Sequence, residues 1–144
     1  MIAVDTNILV YAHRADSPYH EAATKALSAL GAARWAIPWP CVHEFYAIVT
    51  HPKIFDPPTP VADALLALET WRASSLQVLG ETEEHWSVLS DLLRQAQAVG
   101  PMVHDARVAA ICLQHGIEEL WSIDRDFSRF PALRVRNPLV SSSA

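Results

Sequence analysis

Ile2-Ala3-Val4-Asp5-Thr6-Asn7-Ile8-Leu9-Val10-Tyr11 decides the architecture of this 144-residue chain. Its first three residues form an unbroken apolar run, the pattern of a short strand buried on both faces. Asp5-Thr6-Asn7 stops that run. Their side-chain oxygens suit the free amides that open a helix carrying Ile8, Leu9 and Tyr11. A buried strand that passes directly into a helix is the first half of a βαβ unit. Near the other end Glu119-Leu120-Trp121-Ser122-Ile123 repeats the device, and Asp124 closes it.

Between these two stretches helical and strand patterns alternate. Asp16-Ser17-Pro18 predicts a helix with Pro18 at its first position, running to Leu30 and stopped by Gly31. Trp35-Ala36-Ile37 reads as a strand, and Pro40 opens a helix through about residue 50. Residues 51–60 hold Pro52, Pro57, Pro58 and Pro60 and read as a surface loop. Thr59 is placed to cap a helix reaching Ala73. Leu76 to Leu79 is a strand, and Thr82 is placed to cap a helix whose first turn holds Glu83 and Glu84. That helix ends before Gly100-Pro101. His104-Asp105 begins the next one, which Gly116 ends, and Leu133-Arg134-Val135 reads as a short edge strand. The alternation predicts an α/β fold, a mostly parallel sheet with helices on both faces. One domain is expected over residues 1–138, with residues 139–144 a frayed tail.

Bulk properties narrow the function classes. A net charge of −5, from 11 Lys and Arg against 16 Asp and Glu, excludes a broad basic coat for nucleic acid but leaves room for local recognition. Two cysteines, Cys41 and Cys112, lie in helical apolar patterns and read as reduced core thiols. No apolar stretch approaches the roughly 20 residues that span a bilayer. The expected setting is the cytosol, with export by an unrecognised route left open.

Five acids stand where a carboxylate is either misplaced or a ligand: Asp5, Glu44, Asp105, Asp124 and Asp126. Asp5 and Asp124 follow apolar strands, and ligands of open α/β sheets gather beyond the carboxyl ends of strands. Glu44 shares a helical face with Pro40, Cys41, Ala47 and Ile48, which predicts partial burial. Asp105 shares one with Val108, Ala109 and Cys112. Each acid also has a plainer reading. Asp5 and Asp105 suit helix caps, Asp124 a turn, Asp126 a solvated loop, and Glu44 a rim glutamate reaching to water. Their joint placement is the stronger observation. Gathered carboxylates repel, and a hard divalent cation such as Mg²⁺ or Mn²⁺ relieves the repulsion and serves phosphodiester hydrolysis.

Other chemistries fit less well. Cys41 and His43 lie about 200° apart around a helix, so they do not form a zinc pair. Phosphate-binding glycine loops and serine nucleophile elbows are absent from the sequence. The five tryptophans suit core and loop packing. Arg125, Arg129, Arg134 and Arg136 concentrate positive charge near Asp124 and suit RNA phosphates or a solvated edge equally; Arg14 and Arg107 are further candidates because they lie near acids in sequence.

Val4-Asp5-Thr6-Asn7, Glu44, His104-Asp105-Ala106 and Ser122-Ile123-Asp124-Arg125-Asp126-Phe127 together resemble the PIN-domain ribonucleases, over nearly the whole chain. More narrowly they resemble the VapC toxins of type II toxin–antitoxin pairs, mycobacterial members especially. The resemblance implies an αβα sandwich around about five strands. It implies Mg²⁺ or Mn²⁺ on Asp5, Asp105 and Asp124, with Glu44 binding directly, through water, or orienting the attacking water, and Asp126 supporting the edge. Thr6, Asn7 and Ser122 would orient the ligands; Ser122 stands where the family often has threonine. It further implies an RNA substrate, a homodimer and an antitoxin bound near the site. A catalytically silent PIN scaffold and an RNA-maturation nuclease without an antitoxin are the alternatives.

Overall fold

The computed structural model describes residues 1–140. The expected frayed tail therefore lies, from Ser141 onward, outside the described residues. Leu139, at its start, packs against the core, and its amide donates to Asn137 Oδ1 at 2.9 Å.

Five short strands build the sheet: β1 (Ile2–Val4), β2 (Trp35–Pro38), β3 (Leu76–Leu79), β4 (Glu119–Trp121) and β5 (Val135–Arg136). Their spatial order is β3-β2-β1-β4-β5, and every pairing is parallel. The alternating sequence pattern requires this, because parallel neighbours need a crossover and the intervening helices supply it. The chain runs outward from β1 to β2 and β3, then returns to lay β4 on the other side of β1. That reversal opens a crevice beyond the carboxyl ends of β1 and β4, the place where α/β sheets put their ligands. Val4 is in register with Trp121, so Asp5 and Ser122 leave the sheet side by side.

Six helices cover the sheet: α1 (Thr6–His13), α2 (His20–Leu30), α3 (Trp39–Val49), α4 (Val61–Arg72), α5 (His85–Ala96) and α6 (Met102–Gln114). Helix α1 packs on α2 and α3, α3 on α4, and α5 on α6. The core joins Ala3 and Val4 of β1, Ile8 and Leu9 of α1, Phe45 of α3, Ala109 and Ile111 of α6, and Leu120 of β4, all fully buried. A 3-10 turn over Arg125–Arg129 buries Phe127 edge-on against Phe130. Among the described residues no helix is long and apolar enough to cross a membrane.

Several boundaries differ from the expectation, each for a local reason. Pro18 lies in a turn closed by His20 N–H to Ser17 O at 3.2 Å, and α2 starts only at His20. Gly31 is the C-cap of α2, its amide donating to Ser28 O at 3.0 Å, and a Cβ there would sit 2.9 Å from that oxygen, so the position calls for glycine. Thr59 does not cap α4. It is buried, its hydroxyl engaged by His13 and Arg14, and Pro60 takes the cap position. Thr82 accepts the Glu84 amide and bonds Gln114 across to α6, so Glu83 and Glu84 precede α5 instead of filling its first turn. Strand β4 ends at Trp121, and β5 starts two residues and ends one residue beyond the expected positions. Trp35 and Trp121 are core residues as expected, but Trp39 and Trp86 are 37% and 71% exposed.

Candidate active site

Asp5 is the first residue beyond β1 and the N-cap of α1. Its amide continues the sheet by bonding Trp121 O at 2.9 Å, which fixes the side chain at the crevice. Only 7% of the residue is exposed, yet three donors serve the carboxylate. Oδ1 accepts from the Thr6 amide at 2.8 Å and from Cys41 Sγ at 3.4 Å; Oδ2 accepts from the Ser122 hydroxyl at 2.7 Å. Burial pushes the Asp5 carboxyl above its ordinary range, and these hydrogen bonds pull it back.

Asp124 caps the 3-10 turn through its Oδ1, which accepts the Asp126 amide at 2.8 Å. Its own amide donates to Ser122 Oγ at 3.0 Å. Ser122 thus ties the loop after β4 to the acid after β1. Asp105 lies in the first turn of α6, three residues past the helix start. The capping alternative for Asp105 is therefore removed. Burial, then the charges of Asp124, Asp126, Asp5 and Glu44, push Asp105 up to about 6.

Glu44 sits at the lip of the crevice on α3. It is more open than expected: the residue remains exposed, although the surrounding walls still raise its carboxyl above the ordinary range. Its Oε2 accepts the Thr6 hydroxyl at 3.1 Å, so Thr6 serves two acids, one through its amide and one through its side chain.

Asp5, Thr6, Glu44, Asp105 and Asp124 line one cleft of about 440 Å³, together with Asn7, Pro40, His43, Ala47, His104, Arg107 and Val108. At its border, carboxylate oxygens of Asp105, Asp124 and the exposed Asp126 lie within 4.8 Å of one another, a group that does not include Asp5 or Glu44. A magnesium site with oxygens about 2.1 Å from the ion places opposite ligands roughly 4.2 Å apart, so this spacing needs only slight closure. The donors are hard oxygens, which suit Mg²⁺ or Mn²⁺. Burial first, and then the charges of neighbouring acids, raise Asp105 and Glu44; the charge repulsion is the part that such a cation relieves. The cleft residues therefore fit a divalent ion. Zinc is not supported. Burial raises the Cys41 thiol well above its ordinary range and the Cys112 thiol to about 12, and neither cysteine lines the cleft or joins the close group of ligand atoms.

The arginines divide. Arg107 lines the cleft, its guanidinium held by Glu81 Oε1 at 2.6 Å. Arg125 lines an adjoining concavity that shares Asp124 with the cleft, and Arg129 is exposed at the end of the 3-10 turn. Arg134 and Arg136 pair with Glu119 at 3.2 and 4.0 Å. Arg14 does not line the cleft; it bonds Asp16 at 2.6 Å and lies 4.2 Å over the Phe55 ring. His43 and His104 line the cleft and were not singled out as site residues from sequence. The available signal was position, since each immediately precedes an acid on an amphipathic helix.

Known proteins share this sequence family and fold. The family model described as PIN domain matches residues 2–133. The chain is 35% identical over 142 residues to ribonuclease VapC43 of Mycobacterium tuberculosis, covering 96% of each chain. Among solved structures, VapC20 of the same organism, described as a sarcin-ricin loop cleaving toxin, superposes with a TM-score of 0.68 at 17% identity, covering 89% of this chain and 93% of that one. A toxin–antitoxin complex from Klebsiella pneumoniae gives a TM-score of 0.66 at 19% identity, over 96% and 98% of the two chains. With its sheet order, its switch-point acids and these matches, the chain belongs to the PIN-domain family, among the VapC ribonucleases.

Proposed function

We propose that this chain is a divalent-cation-dependent endoribonuclease, the toxin of a type II toxin–antitoxin pair, acting on structured transfer or ribosomal RNA. The observation that carries this reading is the meeting of Asp5, Asp105 and Asp124, with Asp126 at the edge, in one cleft at the switch point of the sheet. Asp5, Asp105 and Asp124 would hold Mg²⁺ or Mn²⁺. A bound divalent cation offsets charge on the scissile phosphate and lowers the pKa of attacking water.

The chain's own groups do the rest. Thr6, Ser122 and Cys41 hold the Asp5 carboxylate in one orientation. Glu44 spends Oε2 on the Thr6 hydroxyl, which leaves Oε1 to orient water and accept its proton. The raised affinity of Glu44 for protons suits that task. Arg107 offers a guanidinium to RNA phosphate at the cleft wall. In-line hydrolysis leaves a 5′-phosphate and a 3′-hydroxyl and needs no nucleophilic side chain.

An antitoxin partner is supported by the structural likeness to a toxin–antitoxin complex and by the electrostatics. A cluster of carboxylates attracts a guanidinium as it does Mg²⁺, so a basic antitoxin side chain would compete for the site. A homodimer would set two such clefts along one groove. The VapC20 description supports ribosomal RNA as one target class.

The test is cleavage of transfer and ribosomal RNA by the purified chain with Mn²⁺, with 5′ ends mapped. Cleavage should stop with EDTA and in Asp105→Asn; cleavage that survives EDTA would overturn the metal reading. The toxin assignment is tested separately. Induction should arrest growth, and co-expression of a small antitoxin-like reading frame, if one precedes this one, should restore it.

A further inference from the structure

Asp5 is unusual among the cleft acids in how completely its oxygens are occupied. A carboxylate oxygen accepts through two in-plane lone pairs, so the group has four acceptor positions. Oδ1 has both filled, by the Thr6 amide at 2.8 Å and the Cys41 thiol at 3.4 Å. Oδ2 has one filled, by the Ser122 hydroxyl at 2.7 Å. A single acceptor position, on Oδ2, is left for anything in the cleft. Without the thiol, Oδ1 would regain an open position. The carboxylate could then turn about its Cβ–Cγ bond or engage a cation with either oxygen.

We propose that Cys41 is a positioning residue of the site, whose S–H saturates Asp5 Oδ1 and commits Oδ2 to the divalent cation. The inference rests on the metal-dependent reading above. Several observations support it. Cys41 is fully buried on α3, one turn before Glu44, so the helix that carries one cleft acid also braces another. The contact ties the N-cap residue of α1, directly after β1, to α3. The sulfur stays reduced and free, and so keeps its proton as a donor. A thiol is a weak donor, yet a charged acceptor in a dry site strengthens any hydrogen bond to it. Groups that orient metal ligands in this way typically govern affinity by about 10- to 100-fold.

The position separates two roles by opposite signs. If Cys41 only fills the core, alanine is tolerated better than serine, because serine buries a hydroxyl among apolar neighbours. If Cys41 positions Asp5, serine supplies an O–H donor and rescues what alanine loses. The experiment is titration of Mn²⁺ alone into the apo full-length chain, wild type against Cys41→Ala and Cys41→Ser, with thermal melts to verify folding. Cys41→Ala should weaken Mn²⁺ binding by about 10- to 100-fold, and Cys41→Ser should return close to wild type. Equal affinity in Cys41→Ala and wild type, or a serine variant as weak as alanine, overturns the inference. No Mn²⁺ binding in wild type would instead defeat the metal reading on which it rests. A measurement on the wild type covers the case of a variant that does not fold. Its infrared spectrum should contain two resolved S–H stretching bands, the Cys41 band lying lower because it donates to a carboxylate. Coincident bands would contradict the contact.

Discussion

Ser122 donates its hydroxyl to Asp5 Oδ2 over 2.7 Å, joining residues 117 positions apart across the carboxyl ends of β1 and β4. Ser122 Oγ also accepts the Asp124 amide at 3.0 Å. One small buried side chain therefore sets the relation between two cleft acids. Ser122→Ala should cost about 1.5–3 kcal/mol of stability at neutral pH, since it strips a donor from a buried charge. The cost should shrink at acid pH, where Asp5 is protonated and the lost bond matters less. Ser122→Thr, which keeps the hydroxyl, should stay near wild type. Urea unfolding of the three proteins at two pH values checks this.

Asp105 makes a separate pH prediction for the metal-free chain. Burial and four neighbouring acids raise it from 3.8 to about 6. A carboxyl raised on folding contributes stability that is present below its unfolded value and lost as pH rises through its folded one. The metal-free protein should therefore lose stability between pH 3.8 and about 6. Asp105→Asn should flatten that decline and stabilise the metal-free chain at neutral pH by about 1 kcal/mol, after allowance for the solvent exposure of the group. Melting temperature against pH, with EDTA present, is the measurement. Stability that rises across this window because of Asp105 would contradict the electrostatic account.

Arg107 should matter for RNA and hardly at all for folding. Its pair with Glu81 is partly exposed, and such pairs contribute below about 1 kcal/mol. Arg107→Ala in an Asp105→Asn background, where RNA is bound but not cut, should weaken binding. It should also reduce the slope of log affinity against log salt by about 0.7. Fluorescence anisotropy over a salt series reads both. An unchanged slope would place Arg107 outside the phosphate contacts.

Gln97 ends α5 in the left-handed region, at φ 50°. A side chain in that conformation costs about 1–2 kcal/mol that glycine avoids. Gln97→Gly should therefore raise thermal stability. The gain is reduced by the extra freedom glycine has when unfolded and by loss of the side-chain bond to Arg94 O at 2.8 Å. RNA cleavage should not change, because the residue lies outside the cleft.

The parts of the structure that sequence reveals are those governed by pattern. Ile2–Val4 and Leu120–Trp121 are apolar runs followed by polar residues, so the strands are legible together with Asp5 directly after the first and Asp124 three residues after the second. Glu44 and Asp105 betray themselves as charges on apolar helical stripes. Thr59 and Thr82 mislead because a threonine before a helix pattern has other uses. One is drawn inward to His13 and Arg14, the other across to Gln114. Arg14 misleads for a similar reason. It follows α1 closely in sequence, but the helix carries it away from Asp5, to Asp16 and Phe55. His43 and His104 escape notice because lip positions obey no periodicity. Cys41 reads as core, which it is; its hydrogen bond to Asp5 appears only when α3 is laid beside β1.

The central claim is that the switch-point carboxylates enclose a divalent cation. Anomalous diffraction at the manganese edge from crystals soaked in Mn²⁺ tests it most directly. The account predicts a peak in contact with Asp5, Asp105 and Asp124, and its loss in Asp105→Asn. A wild-type cleft without a peak, or manganese bound only elsewhere on the surface, would contradict it.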